Sequence, residues 1–168
     1  MTFKFYNKTV VLVLFTLLIL TNAQAQIEIK SKVDLETYSN YSKSIDLFEK
    51  MINPNDVLTI FIASNEGLDR LVPSVYNSVF VNKSSNDILI FKNQHTISEY
   101  ITITDFNNPL ISNTSVVKQN NAGSNLAFTK NPPYVMITDF SGYESNIMSS
   151  ISINSHIILH FISGAIKY

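Results

Sequence analysis

The sequence predicts an α+β fold in a single domain. In the first half of the chain, Tyr41, Ile45, Phe48 and Ile52 recur at the spacing of one helix face. From about Thr96 onward, short segments rich in β-forming residues alternate with polar turns. Helices that precede strands, instead of alternating with them, favour a segregated α+β architecture over repeated βαβ units.

The first 25 residues have the composition of a signal peptide. Lys4 and Lys8 make the start cationic, and the apolar segment that follows is shorter than the roughly 20 residues of a spanning helix. Ala23-Gln24-Ala25 matches the small-residue pattern of a cleavage site. We therefore expect residues 1–25 to be removed and the protein to be exported to the periplasm, the cell surface or the extracellular space. A retained membrane anchor is the alternative.

The composition of the mature chain excludes several classes of partner. The leader holds two of the 12 Lys and Arg and none of the 13 Asp and Glu, so ten basic and 13 acidic side chains remain, with a net charge of −3. Such a chain lacks the basic surface that binds DNA or RNA, and we expect no membrane span after cleavage. The absence of cysteine excludes disulfides and thiolate metal sites, and it favours a bacterial source for an exported domain.

Local patterns place the elements of the first half. Residues 26–32 predict a short strand or arm, and the domain proper is expected over 33–168. Asn40 is the expected N-cap of a helix that ends at Asn53-Pro54, because the residue before proline avoids helical angles. The apolar segment 57–63 predicts a strand buried on both faces.

A second helical region should follow that strand. Ser64 is the expected N-cap, Leu68 and Leu71 should face inward, and Pro73 should end the helix. Ser85 is the expected N-cap of a further helix over residues 86–94.

The second half predicts strands separated by turns. Ile97, Ile101 and Ile103 alternate with polar residues up to the break at Asn107-Asn108-Pro109. A hairpin is expected around Asn121-Ala122-Gly123. The expected strands of this half are 115–118, 125–129, 134–138, 151–154 and 157–162.

Three segments resemble the signatures of fasciclin-like domains. The segment Thr59-Ile60-Phe61-Ile62-Ala63-Ser64-Asn65-Glu66-Gly67-Leu68 is similar to the first signature, Thr-Val-Phe-Ala-Pro-Thr-Asn-Glu-Ala-Phe. The segment His160-Phe161-Ile162-Ser163-Gly164-Ala165-Ile166 is similar to the second, His-Val-Ile-Asp-x-Val-Leu. Between them, Asn93-Gln94-His95-Thr96-Ile97-Ser98 falls where the family has a Tyr-His stretch. With the helix ahead of them, the resemblance covers residues 33–168.

Among the positions where the chain departs from the family pattern, four matter most. Ala63 stands where the family has Pro, and Leu68 stands where it has Phe. Gln94 replaces the Tyr of the Tyr-His pair, and Ser163 replaces the Asp of the second signature. The chain therefore resembles a divergent member of the family.

The resemblance implies a compact β-sandwich or wedge with N-terminal flanking helices and no cofactor. It implies structural roles for the motif residues Phe61, Ser64, Asn65, Glu66 and His160. For His95 it implies hydrogen bonds to neighbouring backbone. Because the surrounding stretch contacts receptors in some animal members, Gln94 and His95 are also the candidate ligand-binding residues.

The remaining histidine pattern offers a metal pair as an alternative. His156 and His160, four residues apart, would share a face on a helix or a strand, but no third ligand stands nearby in the sequence. Apolar neighbours favour a core or edge position, so we expect no metal site. The sequence also lacks the nucleophile elbow, zinc-protease helix and phosphate or dinucleotide loops of common enzymes, and we expect no catalytic residues.

The sequence therefore predicts an exported, non-enzymatic binding module in cell-surface or matrix adhesion. Its expected partner is an envelope or extracellular protein or a glycan. The alternatives are a small extracytoplasmic hydrolase that uses His95 or His160 as its base, and an accessory subunit of an envelope complex.

Overall fold

The structure is a computed structural model, and it describes residues 29–50, 52–106 and 115–167. The predicted signal peptide 1–25, the first residues of the predicted arm and the break at Asn107-Asn108-Pro109 lie outside the described residues. None of the helices in the described residues is long and apolar enough to cross a membrane.

The described helices cluster in the first part of the chain. A 3₁₀ turn begins it, and a π-helix interrupts the middle of the helical region. The helical elements are the 3₁₀ turn Ile29–Lys32, α1 (Leu35–Glu49), α2 (Asn65–Asp69), α3 (Pro73–Tyr76), the π-helix Asn77–Val81, α4 (Ser85–Gln94) and α5 (Ile103–Phe106).

The strands of the described residues form one seven-stranded sheet. They are β1 (Leu58–Ala63), β2 (Thr96–Ile97), β3 (Val116–Gln119), β4 (Asn125–Asn131), β5 (Tyr134–Thr138), β6 (Glu144–Ser152) and β7 (Ile157–Ile162). Their order across the sheet is β2-β1-β7-β6-β5-β4-β3. The neighbouring strands β1 and β7 are parallel, and every other neighbouring pair is antiparallel. Every residue of β1 and β7 is buried, as expected for strands covered on both faces.

The sheet curves strongly toward closure. In a flat sheet, β1 and β4 would lie four strand spacings apart, about 19 Å. The rings of Phe61 on β1 and Phe128 on β4 instead have centroids 5.8 Å apart. The α+β wedge with flanking helices is therefore confirmed. Its apolar core is one cluster, which includes Phe48 of α1 and Phe61 of β1.

Several local predictions are confirmed. Ile45 and Phe48 of the first helix are fully buried, as the spacing indicates. Ser64 caps α2, and Leu68 and Leu71 are buried. The hairpin of β3 and β4 and the strands β5 and β7 lie where the sequence places them.

The predicted start of the first helix is wrong. Asn40 lies inside α1, and Asp34 is the N-cap, with its carboxylate accepting a hydrogen bond of 2.8 Å from the Thr37 backbone N–H. The periodicity missed the first turn because Leu35 is 83% exposed and faces away from the core. The last helical residue is Glu49, earlier than predicted.

Three further boundaries differ. Ser84, not Ser85, caps α4. Pro73 begins a new helix at its first position, where the missing N–H costs nothing. The described part of the predicted N-terminal strand is a 3₁₀ turn that buries Ile29.

Two strand predictions are corrected in length. The alternation of Ile97, Ile101 and Ile103 yields only the two-residue β2, because the chain turns away after Ile97 and Ile103 begins α5. In contrast, β6 begins at Glu144, well before the predicted Ile151. A bulge between Ile147 and Ser149 interrupts its regular alternation.

Candidate functional site

The segments that resemble the first and second fasciclin signatures lie side by side in the sheet, as β1 and β7. Phe61 on β1 stands directly opposite His160 on β7. The Ser64 hydroxyl accepts a hydrogen bond of 2.9 Å from the Gly67 N–H and donates one of 2.8 Å to the Ser163 carbonyl. We call this region the signature seam; it comprises β1, β7, the start of α2, residues 163–167 and His95, which is hydrogen-bonded to Phe61 and Ile166.

Close backbone contact tightens the signature seam at Gly67. A Cβ atom there would lie 2.6 Å from both the Gly164 Cα and the Ser163 carbonyl oxygen. Only glycine permits this approach of the helix start to the chain after β7.

Asn65 and Glu66 point away from the centre of the seam. The Asn65 side chain joins α2 to α1, because its oxygen accepts from the Lys43 N–H at 3.1 Å and its amide donates to the Ser39 carbonyl at 2.9 Å. Glu66 is exposed near the positive end of α2 and pairs with Arg70, one turn later.

His95 is buried at the end of α4 and uses both ring nitrogens. Nδ1–H donates to the Phe91 carbonyl at 2.9 Å, and Nε2 accepts from the Ile166 N–H at 3.0 Å. The ring also stacks on Phe91 at 4.0 Å, and the His95 carbonyl accepts from the Phe61 N–H. Burial lowers the pKa of His95 to about 4, against smaller opposing effects of the Phe91 carbonyl and Asp139. His95 thus connects α4, β1 and the segment after β7.

His160 is buried inside the curved sheet, between the rings of Phe61 and Phe106 at 5.7 Å each. Nε2–H donates to the Ile101 carbonyl at 2.8 Å, and Nδ1 lies 2.6 Å from the Ser150 hydroxyl, which donates to it. Burial lowers the pKa of His160 to about 4. Both buried histidines are therefore neutral near pH 7, and their partners fix opposite tautomers.

The candidate ligand-binding residues both lie below the surface. Gln94 is 6% exposed and His95 is fully buried. The Gln94 side-chain oxygen has no hydrogen-bond partner among the described residues, whereas the ring of His95 is saturated. Ligand binding by this pair stays a prediction.

The structure separates the two histidines that the sequence offers as a metal pair. His156 lies in the exposed turn before β7, next to Ser155, while His160 points into the curved sheet. They do not share a face because only the second lies on the strand. Across residues 29–50, 52–106 and 115–167, no group of three or more metal-ligating side chains is close enough to hold an ion.

Sequence reasoning missed a concave surface in the described part of the chain. It lies between α1, the π-helix and α4, and it is lined by Leu47, Val79, Phe80 and Ile88. We call it the helical groove. The spacing of Lys43, Leu47 and Lys50 places these residues on one face of α1, and this was the available signal. The groove also needs the π-helix and α4, which no local sequence pattern relates to α1.

Comparison with known proteins identifies the architecture. No family model and no curated protein matches the sequence. Among solved structures, the chain is similar to a FAS1 domain pair from the insect cell adhesion molecule fasciclin I. The fold is fasciclin-like. The match covers 78% of this chain and 43% of that chain, at 16% identity and a TM-score of 0.50. This chain thus spans less than half of the two-domain structure, and the similarity concerns the fold alone.

Proposed function

We propose that the protein is an exported, non-enzymatic binding module in cell-surface or matrix adhesion. Its partner would be an envelope or extracellular protein or a glycan. The fold is compatible with this role, since the similar domain pair comes from a cell adhesion molecule. The observation that carries the proposal is the saturation of His95 and His160 by partners within the domain.

A catalytic histidine needs a free nitrogen and a pKa near the working pH. In His95, backbone groups occupy both nitrogens, so the ring has no position for a substrate proton. Its lowered pKa, about 4, also makes it a weak base. These properties favour a structural role.

The hydrolase alternative rests on one specific contact, the 2.6 Å approach of the Ser150 hydroxyl to His160 Nδ1. A serine beside a histidine is the core of a nucleophilic pair. Here, however, the group behind the ring is the neutral Ile101 carbonyl, which stabilises an imidazolium far less than a carboxylate does. Ser150 and His160 are also directly paired across β6 and β7, so sheet register explains their contact.

One experiment separates adhesion from hydrolysis. The mature chain, residues 26–168, is immobilised and exposed to the solubilised envelope proteins and glycans of its host, and a fluorophosphonate probe is applied in parallel. We expect saturable capture of a protein or glycan and no labelling of Ser150. Labelling of Ser150 that disappears in His160→Gln would overturn the proposal in favour of the hydrolase.

The third alternative, an accessory subunit of an envelope complex, gives a different result in the same capture experiment. Such a subunit would retain a fixed set of envelope proteins at constant stoichiometry. An adhesion module would instead bind a surface protein or glycan that can be competed away by its soluble form.

A further inference from the structure

The helical groove has the size and lining of a small-molecule site. Its volume is about 620 Å³, within the range of roughly 300–1,000 Å³ typical of ligand pockets. Leu47 of α1, Val79 and Phe80 of the π-helix and Ile88 of α4 give it an apolar floor. Ring contact with Phe91 at 5.4 Å holds Phe80 in place, so the floor continues the core.

The backbone beside the helical groove is unusual at two adjacent places. Asn77–Val81 is a π-helix, a rare conformation that is frequently found at functional sites. Lys83, just after it, has a φ of 54°, which is uncommon for a residue other than glycine. Both irregularities supply residues to the groove: the π-helix contributes Val79 and Phe80, and Lys83 lies on the rim.

The rim of the helical groove carries excess positive charge. Lys43, Lys50 and Lys83 line it, against the single carboxylate of Asp46. That carboxylate also lies 2.9 Å from Lys30 Nζ, which Glu49 shares at 3.4 Å.

Two of the three rim lysines remain available to a ligand. Lys43 is bound to Asp69 at 2.8 Å and lies over the Tyr76 ring. Lys50 and Lys83 form no ion pair with any described residue. An anion between them would therefore gain two partners without breaking an existing one.

We propose that the helical groove binds a single-chain anionic amphiphile. Its hydrocarbon chain lies on the apolar floor, and its carboxylate or phosphate head lies between Lys50 and Lys83. Among the described residues of the lining, Ser85 carries the only aliphatic hydroxyl, which is too few polar groups for a sugar. This site is separate from the signature seam and does not depend on the identity of the adhesion partner.

The test uses calorimetric titration of the mature chain with ligands of one chain length and different heads: decanoate, decyl phosphate, decanol and decyltrimethylammonium, all below their micellar concentrations. We expect one anion per chain, bound roughly tenfold or more tightly than decanol or the cation. Tighter binding of decanoate identifies a fatty acid, and tighter binding of decyl phosphate identifies a phosphate-headed lipid. Equal affinity for anionic, neutral and cationic ligands, or no binding, overturns the proposal.

Two matched pairs of variants locate the site. Ile88→Glu places a carboxylate in the floor, whereas Leu89→Glu changes an exposed neighbour outside the lining. The double variant Lys50→Gln/Lys83→Gln removes the head-group partners, whereas Lys130→Gln removes a lysine on β4. We expect Ile88→Glu to abolish binding of the anions and Leu89→Glu to leave it unchanged.

The variant Lys50→Gln/Lys83→Gln tests the proposal even if Ile88→Glu does not fold. Both lysine side chains are exposed, so we expect their replacement to leave the fold intact. The double variant should lose the preference for anions over decanol, while Lys130→Gln should retain it. An unchanged preference in the double variant contradicts the proposal. Capture of an acidic amphipathic peptide without any amphiphile binding contradicts it too.

Discussion

The signature seam and the helical groove meet where the rings of Phe80 and Phe91 are in contact. The two regions differ in whether their polar groups have partners within the chain. On the seam side, Phe91 stacks on His95, whose two nitrogens are both occupied. On the groove side, Phe80 packs edge-on against Phe91 in a groove where Lys43 pairs with Asp69, whereas Lys50 and Lys83 lack an ion-pair partner among the described residues. The seam therefore uses its polar groups to join segments of chain, whereas the groove leaves two of its lysines, Lys50 and Lys83, to solvent or a ligand.

The residues that resemble the family therefore lie in a different part of the molecule from the binding site that we propose. The residues that make the sequence resemble a known family are those of the seam, and they hold the fold together. The groove contains none of the signature residues. Similarity at the motifs thus identifies the scaffold, while the amphiphile site that we propose lies in residues that the motifs do not include.

The largest expected effect concerns the buried aromatic of the seam. Phe61 is fully buried, so Phe61→Ala should lower the free energy of unfolding by about 3–5 kcal/mol. Phe140→Ala is the matched control, because Phe140 is 56% exposed and should change stability by less than about 0.5 kcal/mol. Urea unfolding measures both. Equal effects would mean that the seam is not the centre of the fold.

Acid should weaken the seam through its histidines. Burial lowers the pKa of His95 and of His160 to about 4 from the ordinary 6.5, so between these values the unfolded chain binds protons that the folded chain does not. The free energy of unfolding should be highest above pH 6.5 and should fall as the pH drops toward about 4. Urea unfolding at pH values above about 5, where ordinary carboxylates are ionised, isolates this effect. A flat profile in that interval would contradict buried neutral histidines.

The hydrogen bonds of His95 should have a smaller, separable effect. His95→Phe retains the stack on Phe91 but leaves the Ile166 N–H without its acceptor, at a cost of about 1–3 kcal/mol. His156→Ala is the control, since that side chain is exposed. The midpoints of thermal unfolding of the two variants should differ clearly. A His95→Phe midpoint equal to that of the wild type would show that the hydrogen bonds of His95 do not stabilise the fold.

The smallest effect concerns the helix caps. Ser64→Ala removes an N-cap bond of 2.9 Å and the bond to the Ser163 carbonyl, and it should cost about 1–2 kcal/mol. Ser84→Ala removes a longer cap contact of 3.5 Å and should cost less. Chemical denaturation of both variants gives the difference. A larger loss of stability in Ser84→Ala than in Ser64→Ala would contradict a stabilising role for the hydrogen bond between Ser64 and the Ser163 carbonyl.

Local patterns predicted much of the seam and the hairpin between β3 and β4. The run of apolar β-formers in β1 and β7, the hydroxyl of Ser64 and the turn at Gly123 are each specified by a few neighbouring residues. The parallel pairing of β1 with β7 was not predicted from periodicity, because it joins segments about a hundred residues apart in sequence. The early start of β6 was missed because its bulge and serine-rich end obscure the alternation.

The groove could not be predicted for a related reason. Its lining comes from three segments, and the π-helix that supplies Val79 and Phe80 has no recognised sequence signal. Lys83 adopts its left-handed conformation without glycine or asparagine at that position. Each feature depends on tertiary packing, which local propensity does not encode.

The nitrogen chemical shifts of the histidine rings test most directly whether the seam is structural. The structure predicts that His95 carries its proton on Nδ1 and His160 on Nε2, each fixed by its partners. Both rings should stay neutral when the pH is lowered through the ordinary histidine value of 6.5. A single fixed tautomer at each ring, opposite in the two, is the expected result. A ring that is protonated at neutral pH, or that exchanges between tautomers as a catalytic base does, would contradict it.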